Sequence, residues 1–186
     1  MIEFLKNLDI TIFYLINNYT KNIIFDYVMP VVTNVKNFYL IFLILWLLMV
    51  FSKNRDYRIA GWTILIALIF SDILSSKILK NIFLRPRPFE VLDNVFKLVS
   101  SAGPSFPSSH ALNSFNVAAL IMLFLRKKVY TITAFVLAFL SAYSRVYVGV
   151  HYPSDVIFGA VLGIFIGFLF YKFVDKIFKL STDKRN

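Results

Sequence analysis

The sequence predicts an all-α, polytopic membrane protein with about six transmembrane helices, and three observations carry that prediction. Apolar residues make up 59% of the chain and the mean hydropathy is +0.72, against roughly 45–50% apolar residues in a soluble domain. They gather in runs approaching the roughly 20 residues that a helix needs to cross about 30 Å of hydrocarbon. The basic residues collect between those runs instead of on one face. A chain in lipid must satisfy its own backbone hydrogen bonds, so the runs are expected to be helical. Residues 1–186 accommodate one membrane domain and leave no room for a separate soluble one.

Residues 2–34 are the least regular element. Asn17, Asn18, Lys21, Asp26 and Pro30 interrupt their apolar pattern, which predicts one broken or tilted span with an interfacial N-terminal stretch. Glu3 and Asp9, with no small-residue cleavage site after an apolar core, argue against a signal peptide. Five clearer runs follow at about 37–52, 59–79, 111–125, 129–149 and 155–171. Lys53, Arg55 and Arg58 lie between the second and third spans, Arg126, Lys127 and Lys128 between the fourth and fifth, and Lys172, Lys176, Lys179, Lys184 and Arg185 after the sixth. The positive-inside rule puts these three regions in the cytoplasm. With six spans the N-terminus joins them, while residues 80–110 and 150–154 emerge together on the other side. The connection from Arg85 to Pro107 is too polar and proline-rich to span, so it is expected to be an external loop. The polar tail 181–186 is expected to fray.

The formal charge of +10 would suit nucleic acid, but its distribution fits topology better, and no nucleic-acid partner is expected. Absence of cysteine excludes disulfides, thiolate chemistry and Cys-ligated metal.

The chain has two histidines, His110 and His151, each at the start of an expected helix on the same external side. Lys80, Arg87 and Arg145 fall at the same depth. A phosphate ester needs its anionic oxygens neutralised, and Arg offers a planar fork of donors where Lys offers a point charge. Ser108 adds a hydroxyl, and the amides around Ser109 and His110 add donors at a helix N-terminus. The reaction also needs a nucleophile and a proton donor, for which the histidines are the obvious pair. Asp155, four residues after His151, can take one imidazole nitrogen and leave the other as a neutral nucleophile.

These residues resemble the type 2 phosphatidic acid phosphatase (PAP2) family, whose motifs are K-x6-R-P, P-S-G-H and S-R-x5-H-x3-D. Here they read Lys80 to Arg87-Pro88, Pro107-Ser108-Ser109-His110, and Ser144-Arg145 to His151 and Asp155, within about residues 72–163. Three spaced motifs in order are far more specific than one. The resemblance implies a six-helix membrane fold, a phosphohistidine intermediate on His151, His110 as general acid and Asp155 orienting His151. It also implies phosphate binding by Lys80, Arg87, Ser108, Ser109 and Arg145, with no metal or other cofactor. Ser109 departs from the pattern's glycine, but a backbone donor needs no particular side chain if φ is negative there.

The expected substrate is a membrane lipid phosphate or diphosphate, with undecaprenyl diphosphate first, then lipid A 1-phosphate, phosphatidylglycerophosphate and phosphatidic acid. The expected setting is the bacterial cytoplasmic membrane with the site facing outward. Two other classes compete: an oxidative enzyme holding vanadate, and a non-enzymatic lipid headgroup-binding or translocating protein. Lys77 and Arg85 are expected to snorkel to headgroups. Asp72, on the helical face of Ser76 and Lys80, is expected as a buried structural partner outside the catalytic set. Gly159, Gly163 and Gly167 form two G-x-x-x-G steps suited to close helix packing.

Overall fold

The computed structural model describes residues 2–180, which are mostly helical with no strand among them; the tail 181–186 lies outside the described residues. Helix α1 (Ile2–Tyr14) runs into a π-helical turn, Leu15–Tyr19, and α2 (Ile23–Thr33) follows, capped by Asn22, whose side chain accepts from the Phe25 amide. A 73° bend separates α2 from the apolar stretch Val35–Val50, which contains α3 (Tyr39–Val50). The next helix, α4 (Arg55–Ile73), starts at Asn54, whose side chain accepts from the Asp56 and Tyr57 amides. It continues through a π-helical segment, Leu74–Leu79, into the short α5 (Lys80–Phe83). The short α6 (Pro88–Val91) lies within a long connection that leads to α7 (Ser109–Leu125), α8 (Lys128–Tyr147) and α9 (Pro153–Phe178).

The glycine stripe makes α7 and α9 the tightest pair. A Cβ at Gly159 would lie 2.7 Å from the Ser108 carbonyl oxygen, at Gly163 2.2 Å from that of Leu112, and at Gly167 3.0 Å from that of Asn116. No residue larger than glycine fits that approach, as the G-x-x-x-G spacing predicts. On α3, Leu40, Phe42, Leu45 and Leu48 are all exposed. A helix apolar all round that stays uncovered by protein suits lipid contact.

The bundle has two unlike ends. At the loop end, where the connections 84–107 and 148–152 emerge, Met29, Tyr147, Val148 and Val150 form one buried cluster and Phe13, Val146 and Tyr152 another. At the far end, Ala60, Ile64, Ala67, Leu120, Phe124, Tyr171 and Leu180 pack together beside the exposed basic residues 53–58 and 126–128.

The expected six spans are not confirmed. Three helices are long and apolar enough to cross a membrane, Arg55–Val91, Lys128–Tyr147 and Pro153–Phe178; the bent pair Ile23–Thr33 and Val35–Val50 adds a fourth if it is one span, and Ser109–Leu125 is a shorter apolar helix. The difference lies in the shortness of Ser109–Leu125 and in residues 2–34. Their polar side chains do not merely interrupt a span; they dock onto the loop end. Tyr14 donates to the Asp93 carbonyl (2.7 Å), Asn17 donates to the carbonyls of Phe96 (2.8 Å) and Tyr147 (2.7 Å) and accepts from the Phe96 amide (2.8 Å). Asp26 accepts from the Tyr147 hydroxyl (2.6 Å).

Candidate active site

Helices α6 and α9 begin with the same local device. Pro88 and Pro153 occupy the first helical position, where a missing N–H costs nothing. Two residues further on, Glu90 and Asp155 accept from the amides of Arg87 (2.8 Å) and Tyr152 (2.9 Å). The device fixes Arg87 just before one helix and Asp155 in the first turn of the other. The turn feeding α9 depends on Gly149, at φ +81, where a Cβ would also meet the Phe96 carbonyl oxygen at 2.8 Å.

Asp155 is fully buried and uses both oxygens. Oδ2 accepts from the Tyr152 amide and the Ser105 hydroxyl and lies 3.5 Å from Nδ1 of His151, while Oδ1 accepts from Arg85 Nη1 at 2.6 Å. His151, 1% exposed, therefore turns Nδ1 toward Asp155 and Nε2 toward Arg87, whose Nη1 is 3.3 Å away. Burial, the dominant influence, together with the charges of Arg145 and Arg87, outweighs the carboxylate and pushes the His151 pKa down to about 3. The ring is neutral at physiological pH.

Arg87 is 2% exposed and spreads its guanidinium among backbone carbonyls: Nε to Gly103 (2.8 Å), Nη1 to Val150 (2.7 Å), and Nη2 to Ala102 (3.1 Å) and Pro104 (3.4 Å). The remaining Nη1 hydrogen is the one that faces His151. Arg145 donates from Nη1 to the Thr33 hydroxyl at 2.7 Å, whereas its Nε is buried with no protein partner. The Ser108 hydroxyl is buried and unpartnered as well. A buried polar group left unpaired costs about 1–3 kcal/mol, so two such groups at one site suit a polar ligand. Lys80, half-buried at the start of α5, feels the charges of Arg87, Arg145 and Asp155, so the three cations share one region. The π-helical segment before it shifts the register that delivers Lys80.

His110, in the first turn of α7, places Nε2 3.2 Å from the Thr33 carbonyl oxygen. A carbonyl only accepts, so in this geometry Nε2 carries a hydrogen. Ser109 has a helical backbone with negative φ, which removes the need for glycine, and its hydroxyl pairs with that of Ser75 at 2.6 Å. The Ser108 amide donates to the Asp155 carbonyl at 3.1 Å, joining the second and third motifs directly.

Two expectations outside the motifs change. Arg85 does not snorkel: it is ion-paired with Asp9 (2.8 Å) and Asp155 (2.6 Å). Asp72 is exposed, and Ser76 donates only to its backbone carbonyl, at 2.6 Å. Sequence reasoning also missed Thr33, which carries no motif, and Ser105, whose only signal is its place in the Gly103-Pro104-Ser105 turn. Among the described residues, no three His, Asp or Glu side chains gather where a metal ion could be held.

The model of the PAP2 superfamily matches residues 60–179. A lipid A 4'-phosphatase of Bacteroides thetaiotaomicron is 32% identical over 95% of this chain and 81% of its own length. Undecaprenyl-diphosphatase BcrC of Bacillus subtilis is 32% identical, covering 83% of this chain and 77% of that protein. Among solved structures, a transmembrane PAP2 type phosphatidylglycerolphosphate phosphatase from Bacillus subtilis superposes with a TM-score of 0.76 at 28% identity, over 93% of this chain and 87% of that one.

Proposed function

The chain belongs to the PAP2 superfamily and is a membrane lipid phosphatase, and from that premise we propose that it hydrolyses its substrate through a phosphohistidine on His151. The observation that carries this reading is the orientation of His151: neutral, with Nδ1 held by Asp155 and Nε2 aimed at the cationic region. The Nε2 lone pair attacks phosphorus as the bond to the leaving oxygen breaks, and His110 gives that oxygen its proton. Burial and the charges of Arg145, Lys80 and Arg87 disfavour the imidazolium form that His110 needs beforehand, and the Thr33 carbonyl offsets them only in part, so the negative charge of the bound phosphate supplies the rest. Water then attacks phosphorus, returns a proton to His110 and releases inorganic phosphate from His151.

Lys80, Arg145 Nε, the Ser108 hydroxyl and the amides of Ser109 and His110 neutralise the phosphoryl oxygens. Arg87 adds the single N–H that faces Nε2; its other donors hold the loops that frame the site. These cations do the work a metal would otherwise do, so phosphate release from a short-chain substrate is expected to persist in excess EDTA. Loss of activity restored by a divalent ion would refute this. The whole chain acts as one domain, with its lipid tail-binding surface in the bilayer.

Undecaprenyl diphosphate is the first proposed substrate, supported by the likeness to undecaprenyl-diphosphatase BcrC. A lipid A phosphate is the second, favoured by the wider coverage of the lipid A 4'-phosphatase. Phosphate release from a panel of both lipids and phosphatidylglycerophosphate, by wild type and His151→Ala, tests the reading. A headgroup-binding protein would release none, and equal release by the variant would refute His151 as nucleophile.

The basic far end supports a cytoplasmic position for residues 53–58 and 126–128, with the site at the external face. Cysteines introduced at Ser100 and Lys127 should label from opposite sides of intact cells, Ser100 from outside. Labelling of both from outside would overturn that orientation.

A further inference from the structure

We propose that Asp9 and Arg85, neither of them in the three motifs, are positioning residues that aim the Asp155 carboxylate at His151. The inference rests on His151 acting as the nucleophile. A carboxylate is aimed by what each oxygen touches. Oδ2 of Asp155 faces the imidazole; Oδ1 has the Arg85 guanidinium, at 2.6 Å.

Arg85 is itself held from three directions. Its Nη1 also donates to the Ser154 hydroxyl (2.7 Å), its Nη2 donates to Asp9 (2.8 Å), and its guanidinium carbon sits 3.9 Å from the centre of the Tyr152 ring. Asp9 is 9% exposed and closes the clamp, accepting from the Ser154 amide (2.8 Å) and hydroxyl (2.5 Å). A long arginine near a membrane surface ordinarily leans toward headgroups. Here a carboxylate from α1 and the first turn of α9 keep it turned inward. The ladder Asp9, Arg85, Asp155, His151 thus links three distant parts of the chain, with sequence separations of 76 and 70 residues across its first two steps.

The chemistry gives this ladder a task. In the transition state His151 becomes positively charged, and the correctly aimed Asp155 stabilises that charge. Arg85 partly neutralises Asp155, so its benefit is geometric. It blocks rotation of the carboxylate away from Nδ1, and its loss misplaces the nucleophile without disturbing the donors that hold phosphate. The effect is therefore expected in kcat and not in KM.

The test uses full-length Arg85→Gln, Arg85→Lys, Asp9→Asn, Asp155→Asn and the double variant Arg85→Gln/Asp155→Asn, purified in detergent and assayed on a short-chain lipid phosphate beside a thermal melt. Arg85→Gln is expected to lower kcat roughly 100-fold with little change in KM, as for a sub-ångström to 1 Å misplacement. Asp9→Asn is expected to cost about tenfold, as outer-shell partners do, and Arg85→Lys should recover part of the loss. In the Asp155→Asn background, Arg85→Gln should cost nothing further, because its effect runs through that carboxylate. Losses that multiply in the double variant, or a loss appearing in KM, would overturn the positioning role. Should Arg85→Gln fail to fold, the isosteric Asp9→Asn decides alone, and full kcat there overturns the proposal. An inactive wild type would instead overturn the phosphatase reading on which it rests.

Discussion

The two ends of the bundle are built from different materials. At the far end, Ala60, Ile64, Ala67, Leu120, Phe124 and Tyr171 pack apolar side chains against one another while the basic residues stay exposed. At the loop end the buried residues include Asn17, Thr33, Arg87, Ser105, Ser108, Arg145, His151 and Asp155. Apolar packing is non-directional and tolerant, whereas buried charge is stable only when each donor and acceptor is matched. One end can therefore relax around a substitution. The other holds an arrangement that loses its chemistry when one partner moves.

The largest expected effect lies at the nucleophile. Changing His151 to Ala should abolish the phosphoenzyme and lower phosphate release on the order of 10⁶-fold. An aryl phosphate should partly rescue His110→Ala, since a good leaving group needs little protonation, and should not rescue His151→Ala. Radiolabelled phosphate trapped on protein lacking His151 would refute the division of labour.

Next come the glycines, which test whether the contrast extends to packing. Gly163→Ala drives a methyl to 2.2 Å from the Leu112 carbonyl oxygen, so α7 and α9 must part. Those helices carry His110 and Asp155, and the variant should lose about 2–3 kcal/mol of stability along with most of its activity. At the far end Gly61→Ala meets side chains instead of backbone, Val50 Cγ2 at 2.9 Å and Met49 Cβ at 3.3 Å, a milder clash that still needs the buried, β-branched Val50 to shift. Alanine's better helix propensity offsets that contact by up to about 1 kcal/mol, so a smaller loss than at Gly163 is expected. Thermal inactivation midpoints of the two variants check this, and equal losses would erase the distinction between the ends.

An effect that vanishes at neutral pH follows from burying a neutral histidine. The folded pKa of His151 is about 3, below the usual 6.5 of the unfolded chain. Between those values the unfolded state binds more protons, so His151 destabilises the fold as pH falls through 6.5. Its penalty grows by up to about 1.4 kcal/mol per pH unit until the folded pKa is reached, and is absent above 6.5. Melting curves of wild type and His151→Gln from pH 4 to 8 should converge toward neutrality and diverge below it, with wild type losing more.

The same contrast explains what the sequence could and could not disclose. The glycine stripe lies within one helix and each of the three motifs spans at most the twelve residues from Ser144 to Asp155, so local spacing and order are enough to find them. The N-terminal segment was harder because Asn17, Asp26 and Thr33 have partners at Tyr147, Phe96, His110 and Arg145, far along the chain. In a one-dimensional pattern such residues look like breaks in an apolar run. Arg85 misled for the same reason: an arginine at a helix end snorkels unless a carboxylate claims it, and Asp9 lies 76 residues away. The doubled Arg85-Pro86-Arg87-Pro88 is the one local feature that ties Arg85 to the site of its neighbour.

The smallest expected effect makes the sharpest comparison, because the same atom can be removed at each end. Tyr171 accepts at its hydroxyl from Arg126 Nη2 at 2.5 Å, and its ring meets Phe124 edge-on at 5.1 Å between centroids. Tyr171→Phe keeps the ring and the packing, and Arg126 lies at an exposed surface where water can replace the lost acceptor. The cost should stay below about 1 kcal/mol. Asp155 is about 24 Å away along α9 at 1.5 Å per residue, so kcat should not change. Tyr147 is fully buried at the loop end, and its hydroxyl donates to Asp26 at 2.6 Å and accepts from the Asn22 amide at 3.3 Å. Tyr147→Phe leaves a carboxylate and an amide without their partner and loosens α2, the helix that brings Thr33 to His110 and Arg145. It should cost about 1.5–3 kcal/mol, the range for a hydrogen bond to a charged group, and should lower kcat as well. Equal melting shifts and equal kcat for the two phenylalanine variants would show that the polar end tolerates change as readily as the apolar one.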